Sequence, residues 1–193
     1  MREMRGSFRD YLNESSDVLV AAGEAIGQNL MDAAVDTIVA ALAGGKPLLT
    51  CGNGGSASDA MHIAGELVGR FLMERRPLNV ICLSDNPAFL TAWSNDCGYD
   101  GVFARQVEAH GEAGAVLLGI STSGQSRSVV TAFQQARKMG MKTIALTGEG
   151  GGLLAPLADC LLAVPSRSTP LIQQVHVCVY HYLCQRIEER ITR

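Results

Sequence analysis

The chain has no run of 18 or more apolar residues, which removes a membrane-spanning helix from consideration. Its opening stretch, MREMRGSFRDYLNESSD, mixes charges of both signs where a secretory leader would need an apolar segment, so a cytoplasmic protein is expected. No two cysteines form a CxxC pair. Cys51, Cys82, Cys97, Cys160, Cys178 and Cys184 stand apart, which excludes zinc-ribbon and thioredoxin-like motifs and reads as a set of buried small hydrophobes. No block of Lys or Arg occurs either. With 16 basic and 19 acidic residues the net charge is −3, and the clustered positive charge that a phosphate backbone demands is missing, so no nucleic-acid partner is expected. Any anionic ligand must be gripped by local groups. Repeats, linkers and low-complexity tracts are also lacking, and 193 residues suffice to bury roughly 70% of the unfolded surface without metal or disulfide staples.

What is present divides at Gly44-Gly45. Residues 1–43 form a helical extension in which Phe8 to Ala43 contains no proline and reads as two helices with a weak break near Gly27. Apolar helices ahead of a domain bury themselves on it or on another subunit. Residues 44–193 alternate short apolar segments with helical ones. Pro47 to Cys51, Asn79 to Leu83, Ala115 to Ile120, Thr143 to Thr147 and Cys160 to Val164 read as strands buried on both faces. Ser58 to Arg70, Pro87 to Asn95, Arg127 to Met139, Gly152 to Ala158 and Pro170 to Arg190 read as helices. The alternation predicts an α/β fold: a three-layer, doubly wound, five-stranded parallel sheet. Ligands of such sheets bind beyond the carboxyl ends of the strands, which directs attention to the loops 52–58, 84–88, 121–128 and 148–152.

Two of these loops carry anion-binding chemistry. Asn53, Gly54, Gly55 and Ser56 join a strand to a helix N-terminus, where free N–H groups and the helix dipole favour negative charge; a plain tight turn is the bland account. Ser121, Thr122, Ser123, Ser126 and Ser128 place five hydroxyls over eight residues. Capping the following helix needs one hydroxyl, so the excess points to a neutral cradle for a phosphate monoester. On the helix leaving the first loop, His62 and Glu66 project from one face, suited to hold a metal or to supply a base beside an orienting partner. The last helix carries Gln173, Gln174, His176 and His181 among apolar residues, where a buried polar side chain needs a partner. Helical geometry alone aligns Gln174 with His181 and sets Gln173 about 80° away, which leaves open which glutamine serves a site. Either histidine could be a satisfied core residue. Asn95-Asp96, before Gly98, reads by itself as a helix stop.

The segments CGNGGSASDAMHIAGELVGRF, SNDCGYDGVFARQV, GISTSGQSRSVV, ALTGEGGG and IQQVHVCVYH, in this order and spacing, resemble sugar isomerase (SIS) domain proteins, and within them the phosphoheptose isomerase family. The resemblance spans roughly residues 44–189, and the N-terminal helix pair also suits it. It implies homotetramers with active sites at subunit interfaces, and interconversion of D-sedoheptulose 7-phosphate with D-glycero-D-manno-heptose 7-phosphate, the first step toward nucleotide-activated heptose for surface polysaccharide such as lipopolysaccharide. It implies phosphate binding by Ser121, Thr122, Ser123 and Ser126, helped by Asn53, Gly54, Gly55 and Ser56, with sugar contacts from Asn95 and Asp96. Glu66 and His181 match the family's acid/base pair, and His62, Glu66, Gln173 and His181 its zinc site, so the resemblance selects Gln173. Gln174 stands where a glutamate is common, and Cys97 where an aromatic residue is usual. Two alternatives carry different chemistry: a non-catalytic SIS-fold protein that binds the replication initiator, and an isomerase for another phosphosugar. The first lacks a catalytic carboxylate, which this chain has in Glu66.

Overall fold

The computed structural model describes residues 6–192; residues 1–5 of the expected extension, and Arg193, lie outside the described residues. In chain order the elements are α1 (Phe8–Ala43), β1 (Leu48–Gly52), α2 (Gly55–Val68), β2 (Val80–Cys82), α3 (Pro87–Cys97), α4 (Val102–His110), β3 (Val116–Ser121), α5 (Arg127–Lys138), β4 (Lys142–Thr147), β5 (Cys160–Ala163) and α6 (Thr169–Ile191). The five strands form one sheet in the order β2-β1-β3-β4-β5, every pairing parallel. Strands β1 and β3 are buried along their whole length, because helices cover both faces.

Two apolar layers flank the sheet. One face packs Leu48, Val116, Leu118 and Ile120 against α1, α2 and α6, through Ile38, Ile63 and Tyr180 among others. The other packs Leu49, Leu117 and Ala145 against α4 and α5, through Phe103, Val107 and Phe133. The expected three-layer α/β architecture is the observed one.

The break in the first helix falls at Gly27, whose φ of 66° and ψ of 161° interrupt the helix and suit a residue without a side chain. Beyond it, Ala34, Val35 and Ile38 are fully buried, whereas Phe8, Leu12 and Val20 of the first half are 76%, 50% and 65% exposed. The extension is therefore half core, half projecting.

Four expectations need correction. Helix α2 begins at Gly55 rather than Ser58, so the first glycine loop is shorter than it reads. Gly152–Leu157 is a 3-10 turn, not an α-helix. Helix α4 was not anticipated; Val102, Phe103, Gln106 and Val107 are its buried stripe, masked in the sequence by charged neighbours. Among the cysteines, Cys51, Cys82, Cys160 and Cys184 are buried, but Cys97 and Cys178 are exposed, against the expectation that all six lie inside.

Candidate active site

Loop 121–128 leaves β3 at the carboxyl edge of the sheet. Ser126 occupies the N-cap position of α5, yet its side chain makes no capping bond. Its hydroxyl instead accepts a hydrogen bond from Asn53 Nδ2 at 2.7 Å, and the same amide nitrogen donates to Ser128 Oγ at 3.0 Å. Asn53 thus ties the first glycine loop to the hydroxyl loop. Tyr99, not anticipated as a site residue, donates its phenol to Asn53 Oδ1 at 2.5 Å. Gly148 N–H donates to the Thr122 carbonyl at 2.9 Å, fixing the outer edge of the hydroxyl loop. Ser121 and Ser56 are buried, Thr122 and Ser126 are half-buried, and Ser123, Gly54 and Gly55 are open to solvent. Capping, the bland account of the serines, is not how Ser126 is used.

A second cluster forms where α2 packs on α6. His62 Nε2 lies 3.0 Å from Glu66 Oε1, and the ligand atoms of His62, Glu66 and His181 all lie within 4.8 Å of one another. The His181 ring sits edge-on to His62 with centroids 5.1 Å apart and is stacked by Phe71 at 5.5 Å. Behind it, Tyr180 OH is 3.0 Å from His62 Nδ1. Burial, followed by the nearby Asp59 charge, pushes the Tyr180 phenol up to about 12. Burial also raises the Asp59 carboxyl, opposed by His62 and then Tyr180. Tyr180 and Phe71 escaped notice in the sequence because each reads as an ordinary core aromatic.

The two glutamines separate. Gln174 Nε2 donates to Tyr11 OH on α1 at 2.8 Å, so the alignment with His181 that helical geometry favoured is not realised. Gln173 packs its amide against Gly55, where a β-carbon would approach Nε2 to 2.3 Å. That position is the start of α2. His181 lies about 12 Å farther along α6, and Glu66 about 16 Å farther along α2, at ~1.5 Å per residue. Leu78 N–H donates to the Leu67 carbonyl, and Leu78 lies two residues before the start of β2, so the Glu66 end of α2 lies at the amino edge of the sheet. In one protomer the hydroxyl cradle and the carboxylate–imidazole cluster therefore occupy opposite ends of α2, and Gln173 stands with the former. Asn95 and Asp96 are exposed at the end of α3 and hydrogen-bond each other at 3.1 Å rather than either cluster. His176 is the core histidine: Nε2 faces the Thr147 carbonyl at 3.2 Å, and burial pulls its pKa to about 4.

The donor set fits a metal. Two imidazoles and a carboxylate, the donor types zinc takes, have ligand atoms within 4.8 Å of one another, wider than the ~3.3 Å separation of ligands about 2 Å from a tetrahedral ion, so they would draw together to hold one. The hydroxyl behind His62 supplies the outer partner such a ligand needs.

Comparison with known proteins identifies the family. A family model described as SIS domain matches residues 10–148. A phosphoheptose isomerase of Rhodospirillum rubrum is 43% identical over 191 residues, covering 97% of this chain and 99% of that protein. One from Helicobacter pylori is 49% identical over 161 residues, covering 83% and 84%. The solved structure of a phosphoheptose isomerase from Neisseria gonorrhoeae superposes with a TM-score of 0.89 at 38% identity, covering 94% and 96%. Sequence and fold place this chain in the phosphoheptose isomerase family of SIS-domain proteins.

Proposed function

We propose that the chain is an aldose–ketose isomerase interconverting D-sedoheptulose 7-phosphate and D-glycero-D-manno-heptose 7-phosphate, the step that feeds nucleotide-activated heptose synthesis. The observation that carries this reading is the convergence of Glu66 and His181, delivered by helices far apart in sequence, within 4.8 Å on a chain of this family. A non-catalytic SIS protein has no use for such a pair.

Moving a carbonyl by one carbon requires removing a weakly acidic C–H proton and stabilising the charge that gathers on the enediolate oxygen. Glu66 takes the proton from C1 of the open-chain ketose and returns it to C2. His181 moves protons on the sugar oxygens, including during ring opening. Phe71 covers one face of His181 and His62 meets its edge, which restricts the imidazole to one orientation. Zinc, held by His62, Glu66 and His181 and completed by Gln173, would supply Lewis acidity at the enediolate oxygens. The Glu66 oxygen that does not face His62 is the one available for the proton.

Distance supports a shared site. An open-chain heptulose phosphate spans roughly 9 Å from phosphorus to C2 on ordinary bond lengths, less than the ~16 Å rise between the cradle end of α2 and Glu66. A substrate whose phosphate rests among Ser121, Thr122, Ser123 and Ser126 of one protomer thus reaches the Glu66–His181 pair of another, and Gln173 joins that pair only from a second copy. Asn95 and Asp96 would meet sugar hydroxyls. The projecting half of α1, with Phe8, Leu12 and Val20 exposed, offers the apolar surface for a homotetramer. Six free cysteines and a phosphosugar substrate suit the cytoplasm, and among the described residues no helix is long and apolar enough to cross a membrane.

Incubation with sedoheptulose 7-phosphate, followed by proton NMR for the aldose, tests the reaction; absence of conversion by the zinc-loaded protein sinks it. Mixing His181→Asn with Ser123→Ala/Ser126→Ala protein tests the shared site. Activity should return in mixed oligomers, and mixtures as dead as their parents would end that part of the proposal. Full turnover after exhaustive chelation would remove the metal.

A further inference from the structure

Asn53 sits between three hydroxyl groups, and its hydrogen count fixes their direction. The amide nitrogen has two hydrogens and two acceptors within reach, Ser126 Oγ at 2.7 Å and Ser128 Oγ at 3.0 Å. The amide oxygen has one donor, the Tyr99 phenol at 2.5 Å. The reversed amide would aim two hydrogens at a single phenol oxygen and draw both serine protons onto one carbonyl, a poorer match to the same three groups. Burial raises the Tyr99 phenol above its ordinary value, so it remains a donor at any working pH.

The consequence lies at Ser126. Ser128 is buried and its own proton has Ser126 Oγ, 3.3 Å away, as the acceptor within reach, so Ser128 donates to Ser126. The Ser126 oxygen then accepts from both Asn53 and Ser128, and its proton points out of the pair toward the open side of the loop. Ser126 makes no cap bond, so no N–H of α5 competes with Asn53 for its oxygen. A ligand therefore meets a donor here, not a lone pair. The dianion of a phosphate monoester offers acceptors only and matches this surface, as do the three unprotonated oxygens of the inorganic dianion, whose single P–OH stands where the ester oxygen would be. One further protonation adds a P–OH hydrogen among those three oxygens that needs an acceptor.

We propose that Tyr99 is a positioning and specificity-determining residue: by locking the Asn53 amide it turns the Ser126 hydroxyl outward as a donor, so that the cradle selects the dianionic form of a phosphate monoester. The inference rests on the reading of loop 121–128 as the phosphate cradle. Without the phenol, the amide reverses, Ser126 donates to Asn53 Oδ1, and the ligand faces a lone pair.

The probes are inorganic phosphate and sulfate, titrated against the assembled protein by calorimetry at pH 8 and pH 5.5. Sulfate remains a proton-free dianion at both values, whereas phosphate becomes chiefly a monoanion at the lower one. Wild type should bind both at pH 8 and prefer sulfate about tenfold at pH 5.5, one such factor being the scale of a single charge-assisted hydrogen bond. Tyr99→Phe, at a position 45% exposed and so tolerant of the change, should weaken phosphate about tenfold at pH 8 and collapse the sulfate preference at pH 5.5. Asn53→Asp, which can only accept, should lose phosphate further. A loss of packing alone would weaken both anions equally and leave the preference intact, overturning the proposal, as would a Tyr99→Phe protein indistinguishable from wild type. If wild type binds neither anion, the cradle reading itself falls, a result separable from a failure at Tyr99.

Discussion

Helix α6 contributes to two carboxylate clusters in opposite circumstances. His181, with Glu66 and His62 from α2, forms a cluster in which the side chains of Glu66 and His62 remain 23% and 45% exposed and the Glu66 carboxylate pairs, among the described residues, with His62. Glu188 and Arg75 lie beyond it with side chains 1% and 2% exposed, 3.0 Å apart. Burial would raise the Glu188 carboxyl, but the N–H groups of Leu72, Phe71 and Met73, with Arg75 after them, hold it below its ordinary value. Arg75 in turn donates to the carbonyls of Glu66 and Gly69. One carboxylate is saturated and does structural work; the other keeps a free oxygen and is available for chemistry. The saturated set also serves the open one, because the loop it anchors presents Phe71 to His181. A buried pair of this kind contributes fixity more than net stability.

The comparison breaks most sharply at Glu66. Glu66→Gln should lower kcat about 10²- to 10⁴-fold, the range for a general base, while the urea midpoint barely moves; near-normal turnover in a folded protein would erase the contrast. Glu188→Ala should do the reverse, costing about 3–5 kcal/mol in urea unfolding by stranding Arg75 in the interior. If Glu188→Ala unfolds no more easily than wild type, the saturated set is not structural.

The two histidines of α6 sharpen the same point through pH. His176 is held neutral in the fold, with a pKa of about 4 against 6.5 in the open chain. The unfolded state therefore binds the extra proton between those values, and stability present above pH 6.5 declines as pH falls toward 4, by up to about 3 kcal/mol. Urea unfolding of wild type and His176→Gln across pH 7.5 to 4.5 should show a steeper decline in wild type, and parallel curves would refute it. Phe71→Leu is the mildest case. Removing the ring from His181 forfeits about 0.5–1.5 kcal/mol of stacking, which should appear as a several-fold fall in kcat/KM with Tm nearly unchanged; a shift in Tm alone would make Phe71 merely packing.

Much of this was legible in the residues. The five strands follow from short unbroken apolar runs, the break at Gly27 from a glycine in a proline-free stretch, and the hydroxyl loop from more serines than a cap can use. Helix α4 escaped because its buried face is carried partly by Gln106, whose amide donates to the Leu83 and Val102 carbonyls, and no hydropathy pattern reports that. The choice between Gln173 and Gln174 was hidden for a similar reason: it depends on Tyr11 and Gly55, contacts with no local signature. The opposite placement of cradle and cluster could not be read either, since it requires knowing that α2 runs the full depth of the sheet.

The seat of Gln173 against Gly55 bears on how such enzymes diversify. A glutamine pressed against bare backbone has a single reach, so any methyl added at position 55 would displace it and, if the site is shared as proposed, disturb a second subunit's chemistry. The exposed rim at Asn95 and Asp96 carries no such debt. New sugar preferences should therefore arise at that rim, while the glycine floor stays as it is through every change of substrate.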